Sequence, residues 1–287
     1  MKHKKKSTRM KRHMLLWPVF LVAVVALILG ASTPVSWANG WVEELDEFKI
    51  FIEINATDLD AGLQGKLDGE AWNWAVVKGP NRHAIFRLRP TGSLRNQGVT
   101  EFAWESAEPP FEPADEAEYT LEEFLARHQE GRYKAWARTL DRSWLRGVTE
   151  LTHDLPAGPN VTSHAEGDTV YRGSDITVMW NAVTTEFDPD DPQGAATDPL
   201  GSDIVAYIVV AEYDLVLDPG GDDEEEISRK VEIDVAGDVL MATIPADFLP
   251  DDPGVPHELE FKIEVAAVED SGNQTFIEIP LDVEDAP

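Results

Sequence analysis

Two acidic loops carry the residue types that bind hard cations. Asp188-Pro-Asp190-Asp191-Pro-Gln-Gly194 holds three carboxylates between prolines, and Asp58-Leu-Asp60-Ala-Gly62 holds two beside a glycine. Closely spaced carboxylate oxygens suit calcium. Neither loop is an EF-hand, because Gly69 stands at the twelfth position from Asp58, and Pro192 and Pro199 occupy ligand positions counted from Asp188. Calcium at Asp188, Asp190 and Asp191, or at Asp58 and Asp60, is therefore weighed against plain solvated turns; no other cofactor is expected. The run Asp222–Glu226 reads as a solvated loop.

Trp72 and Trp74 stand two apart and are expected on one strand face, where exposed indoles could stack on sugar rings. The competing reading puts both in the core. Catalytic signatures are missing. The chain has no cysteine, no G-x-S-x-G elbow, no P-loop and no H-E-x-x-H, and its histidines lack metal-ligand spacing. A pair of carboxylates suited to polysaccharide hydrolysis exists in any chain with 54 acidic residues, so it selects nothing. The expectation is a non-catalytic binding or scaffolding protein. A calcium-dependent adhesion or carbohydrate-binding surface protein is the first alternative, and a small polysaccharide hydrolase the second.

The elements that position these residues read as strands. Phe48, Ile50, Ile52 and Ile54 alternate, then Leu63–Leu67 and Trp72–Val77 follow, joined by Asp68-Gly69 as a hairpin turn. Residues 84–89, 99–104, 131–137 and 145–152 continue the series. Thr120 and Glu123 form a capping box that opens one helix over 120–127. Farther on, Ile176–Trp180 and Ile204–Val210 precede a final hairpin, in which Phe261, Ile263, Val265 and Ala267 alternate with charges and Ser271-Gly272-Asn273 makes the turn. Pro156-Ala157-Gly158-Pro159 marks a boundary.

Seven basic residues precede the apolar run Met14–Leu29, and Val35-Ser36-Trp37-Ala38 offers a cleavage site, so residues 1–38 read as a signal peptide. The remainder is expected to be secreted, periplasmic or on the cell surface, with no membrane insertion after cleavage. Residues 39–156 hold 13 basic and 22 acidic residues, whereas 157–287 hold 4 and 32. Such a balance disfavours nucleic acid and anionic lipid, and leaves an unknown protein or glycan as partner.

The strand ending in Trp180, the strand carrying Tyr207 and the F-x-I-x-V-x-A-x4-G run from Phe261 to Gly272 resemble a fibronectin type III domain. Phe261 replaces that family's usual tyrosine, which removes the hydroxyl of a tyrosine corner. FIEINATDLDAGLQGKLDGEAW, RNQGVTEFAWESAEPP and LEEFLARHQEGRYKAWA resemble uncharacterised secreted bacterial proteins that join a β-rich domain to such a module. The resemblance implies an all-β chain of two antiparallel β-sandwich domains, 39–156 with one short helix and 157–287 fibronectin type III-like, behind the signal peptide.

Overall fold

A computed structural model describes residues 42–111, 120–194, 198–221 and 225–286, all within one compact unit. The proposed signal peptide lies outside the described residues. The fold is all-β, and its long strands pair antiparallel.

The first half contains β1 (Val42–Glu44), β2 (Glu47–Asn55), β3 (Asp60–Lys78), β4 (Ala84–Leu88), helix α1 (Gly92–Gln97), β5 (Val99–Glu105), helix α2 (Leu121–Arg127), β6 (Gly131–Thr139) and β7 (Trp144–Leu151). Helix α2 opens as its capping box dictates: the Glu123 amide donates to the Thr120 hydroxyl, and Phe124 anchors the helix in the core. Helix α1 was not expected.

Strand β3 corrects the predicted hairpin. Asp68-Gly69 does not turn; one strand of 19 residues runs through it. Its first part pairs with β2 and β5, its second with β4 and β6, so a single strand joins two parts of one continuous sheet. Hairpin chemistry at Asp68-Gly69 fails because Gly69 serves a packing role: a Cβ there would meet Leu45 and Leu145 at 3.1 Å. Ile50, Ile52, Ile54 and Leu67 share one buried core with Ala135, Ala137 and Leu145. Gly65 lets the Trp104 ring lie across β3, since a Cβ would stand 2.1 Å from it.

The second half adds β8 (Thr169–Tyr171), β9 (Ile176–Met179), β10 (Ile204–Leu217), β11 (Glu225–Ala236), β12 (Met241–Ile244), β13 (His257–Glu269) and β14 (Gln274–Glu284). Strands β14, β13, β10 and β11 form a sheet, and β9 pairs with β12. Ile176, Val178 and Ile244 meet Val209, Ile263 and Val265 in the core. The expected final hairpin is β13–β14. Phe261 is buried and packs against Phe248 at 6.3 Å. A buried hydroxyl nevertheless ties the sheets, because Tyr207 Oη accepts from the Val183 amide at 2.9 Å. The charge run expected as a loop instead enters β11 at Glu225 and Glu226; residues 222–224 lie outside the described residues.

Pro156-Ala157-Gly158-Pro159, read as a linker, is buried. Ala157 N–H donates to Thr185 O and Gly158 N–H to Pro192 O, so the segment is held on both sides of the chain reversal. Strand β14 also pairs in parallel with β2 over Gln274–Phe276 and Glu53–Asn55. Asn273 extends that seam with its side chain. Its Oδ1 accepts from Ile52 N–H at 2.8 Å, and its Nδ2 donates to Thr152 O at 3.1 Å and Asp154 O at 3.1 Å.

Candidate functional site

The sequence of β6 alternates Arg132, Lys134, Trp136 and Arg138 with Tyr133, Ala135 and Ala137. The second set is buried, so the first set must point outward. Pairing extends this row across the sheet. Val76 lies between Arg87 and Trp136, Trp136 faces Arg146, Arg138 lies between Trp74 and Trp144, and Lys78 faces Lys134. Residues opposite each other in adjacent strands share a face. Six cations (Lys78, Arg87, Arg132, Lys134, Arg138 and Arg146) thus gather around three tryptophans. Among the described residues none of the six makes an ion pair. Trp144 packs edge-on against Trp74 at 5.9 Å and Trp136 at 6.3 Å, with the Arg138 guanidinium 4.8 Å above its ring. A guanidinium in that position is attracted by the ring face and is held ready for an anion.

Trp72 and Trp74 do not share a face. A register shift between them flips the alternation, so that Trp72 is 0% exposed in the core while Trp74 joins the outward cluster. Trp72 therefore offers no ring face to a sugar, and the reading of Trp72 with Trp74 as a stacking pair is corrected. A bulge of one residue has no signature in binary patterning.

Strand β2, strand β5 and the loop after it gather carboxylates. Glu53 on β2 is 3% exposed and accepts from Gln64 Nε2 at 2.9 Å and from Gln274 Nε2. Gln64 Nε2 also donates to Glu105 Oε1 at 3.2 Å. Glu108, just beyond β5, completes a group whose ligand atoms all lie within 4.8 Å of one another. Gly62 makes the room, since a Cβ there would stand 2.4 Å from the Glu108 carboxylate. Burial first, then neighbouring carboxylates, hold Glu108 up at about 9, and burial raises Glu53 to about 7. Asp60 at the rim is likewise raised to about 7, by burial and then by Asp58.

Among the described residues, neither expected calcium loop gathers three ligand atoms in this way. Asp188 Oδ1 accepts from the Asp190 amide at 2.9 Å, which closes the loop upon itself; Asp190 is exposed and Asp191 half-buried. Asp58 accepts from Asn55 Nδ2 at 3.1 Å. The Glu53 group was missed because its members come from separate strands. The cationic face was hidden by the acidic total, although the alternation Arg132, Lys134, Trp136, Arg138 was its visible signal.

No known protein family and no curated protein matches the chain. Solved structures with which it aligns include the BSP domain of a biofilm-associated protein (12% identity, 83% of this chain and 30% of the other, TM-score 0.21). Chicken CNTN1 FN1–FN3 domains align at 9% identity over 85% of this chain and 68% of the other, with TM-score 0.24. A bacterial ice-binding adhesin aligns at 11% over 85% and 66%, with TM-score 0.20. The chain spans less than a third of the length of the biofilm-associated protein. Superpositions this loose carry no argument about activity or ligand.

Proposed function

We propose that this chain is a non-catalytic binding module, acting outside the cytoplasm, whose ligand is an acidic glycan held on the outward face of β4, β3, β6 and β7. The supporting observation is a sheet face that carries six cations, none in an ion pair among the described residues, around three clustered tryptophans, with Glu150 opposite Arg132 at its edge, in a chain whose formal net charge is −30. Chance placement would scatter the few basic residues among the acids. Indoles offer apolar surface to the faces of sugar rings, and guanidinium groups pair with carboxylate or sulfate. A polymer ligand suits an open sheet face, whereas a small molecule would want a deeper cavity. The cleft beside Gly158, Asn181 and Gln193 holds only about 170 Å³.

Titration of the full chain with a polyuronate and with a neutral glucan, at low and high salt, tests this reading. The polyuronate is expected to bind, more weakly as salt screens the charges, and the glucan to bind little. Arg138→Ala with Arg146→Ala should weaken polyuronate binding about tenfold or more, the scale of losing contacts worth ~1.4 kcal/mol. Equal affinity for both polymers, or undiminished binding by that variant, would refute the assignment. Self-association through the acidic sheet of a second copy would appear as a concentration-dependent rise in mass without polymer, and would overturn the glycan reading if the same arginines abolished it.

A further inference from the structure

Strand β11 ends the sheet. Among the described residues it pairs with β10 alone, so every second residue aims its amide and carbonyl away from β10 with no strand beyond. Glu225–Lys230 are exposed, Ile227 by 38%. Opposite the buried Tyr207, Val209 and Ala211 stand Val235, Ile233 and Val231, which pack against the core yet stay half-buried. A long edge with an incompletely covered apolar row is a template for another strand. We propose that β11 pairs antiparallel with β11 of a second copy of this chain, about a two-fold axis at Val231. The proposal is independent of the glycan face.

The residues of β11 select both the partner and the register. A two-fold axis perpendicular to the joined sheet keeps every side chain on its own face and makes each contact reciprocal. Directly opposite residues share a face, so the axis must pass through a residue and never between two. An axis at Arg229, Lys230 or Glu232 sets that charge against its own copy. An axis nearer either end leaves much of β11 unpaired. Val231 escapes both faults. On the outer face it places Lys230 opposite the partner's Glu232 and Ser228 opposite the partner's Asp234. On the inner face Val231 meets its own copy, and Ile227 meets the partner's Val235. Symmetry repeats each unlike pair, so Lys230 and Glu232 of both copies alternate in sign around the axis. Arg229, opposite the partner's Ile233, keeps its guanidinium 6.0 Å from the Phe248 ring of its own chain.

Charges in the middle of an edge strand ordinarily keep edges apart. Here they reject the other registers and favour one, which makes the edge specific for itself. A single strand edge is a small interface, so a reversible dimer with a Kd of about micromolar is expected.

The test follows the mass of the full chain by sedimentation velocity up to concentrations about a hundredfold above that Kd. Lys230→Glu and Glu232→Lys each set like charges opposite one another and should each weaken the dimer more than about tenfold. Mixed in equal amounts, these two variants should form a heterodimer, because every opposed charge pair is then unlike. Two misfolded variants would not rescue each other. The chain has no cysteine, so Val231→Cys supplies its only thiol. Mild oxidation should cross-link that variant, since opposite residues of an antiparallel pair stand ~4.5 or ~5.5 Å apart, within a disulfide's reach. Ile233→Cys should stay uncross-linked, and Arg138→Ala with Arg146→Ala should leave the dimer intact. The proposal is overturned if the wild type remains monomeric throughout, if the charge variants dimerise undiminished or fail to associate when mixed, if Ile233→Cys cross-links as readily as Val231→Cys, or if the loss of Arg138 and Arg146 abolishes the dimer.

Discussion

Replacing Asn273 with alanine tests how the two halves are held. Asn273 is 0% exposed, and its side chain replaces a strand's worth of backbone pairing at the seam. Its removal strands the Ile52 amide, which now donates to Oδ1 at 2.8 Å, and the carbonyl oxygens of Thr152 and Asp154, which accept from Nδ2 at 3.1 Å each. Each buried polar group left unpaired costs about 1–3 kcal/mol. Ile52 is wholly buried, so its amide bears the full cost, whereas a water entering the space of the lost carboxamide could reach the two carbonyls. The expected loss is therefore about 3–5 kcal/mol, a large share of the ~5–15 kcal/mol that ordinarily separates folded from unfolded protein. Urea unfolding followed by tryptophan fluorescence measures it directly. Hydrogen exchange should show the Ile52 amide losing protection before the rest of β2. Asn273→Asp should be as damaging at neutral pH, since it sets a carboxylate against two carbonyl oxygens, and partly recovered in acid. A loss under about 1 kcal/mol for the alanine variant would show that the contact contributes little and that the seam is held elsewhere.

Other consequences can be read with equally simple assays. Gly65→Ala drives a methyl group into the Trp104 ring at 2.1 Å, and overpacking of this kind should cost about 1–3 kcal/mol, seen as a lower urea midpoint. Burial holds the Glu53 carboxyl at about 7 against an ordinary value of 4.5. A raised carboxyl favours the folded state while it stays protonated, so that stability is full below about pH 4.5 and is lost as pH rises through about 7. The loss is about 3 kcal/mol, and Glu53→Gln should reduce the pH dependence of the urea midpoint over that window, leaving the part due to Asp60. An unchanged slope in that variant would remove Glu53 from the account. Thr120→Ala removes the acceptor of the Glu123 amide and should lower stability by about 1 kcal/mol, with the effect confined to exchange in α2.

The parts of the fold that were legible in the sequence are those set by local pattern. Phe261, Ile263, Val265 and Ala267 announce β13 by alternation, and Thr120 with Glu123 announces α2 by a capping box. What failed was inference from dipeptides and totals. Asp68-Gly69 has hairpin chemistry, yet Leu45 and Leu145 pack where a Cβ would be, and that distant contact decides against a turn. Pro156–Pro159 looks like a linker because prolines donate no hydrogen bonds, but the residues that bury it lie elsewhere in the chain. The register shift at Asn73 moves Trp74 to the outer face while leaving Trp72 in the core, and no periodicity reports a bulge. Glu53, Glu105 and Glu108 gather only through strand pairing, so their grouping is a property of topology. The cationic face was half legible: four alternating residues on β6 carry it, but Lys78, Arg87 and Arg146 join them through register alone.

The most direct test of the central claim is lysine acylation footprinting of the full chain, with and without saturating polyuronate. Lys78 and Lys134 face each other on the tryptophan-bearing part of the sheet, whereas Lys49 on β2 and Lys66 in the first part of β3 lie away from the tryptophans and pair with Glu47 at 2.6 and 2.9 Å. The account predicts that polymer slows acylation of Lys78 and Lys134 and leaves Lys49 and Lys66 unchanged. Protection of Lys49 and Lys66 instead, or equal protection of all four, would contradict it.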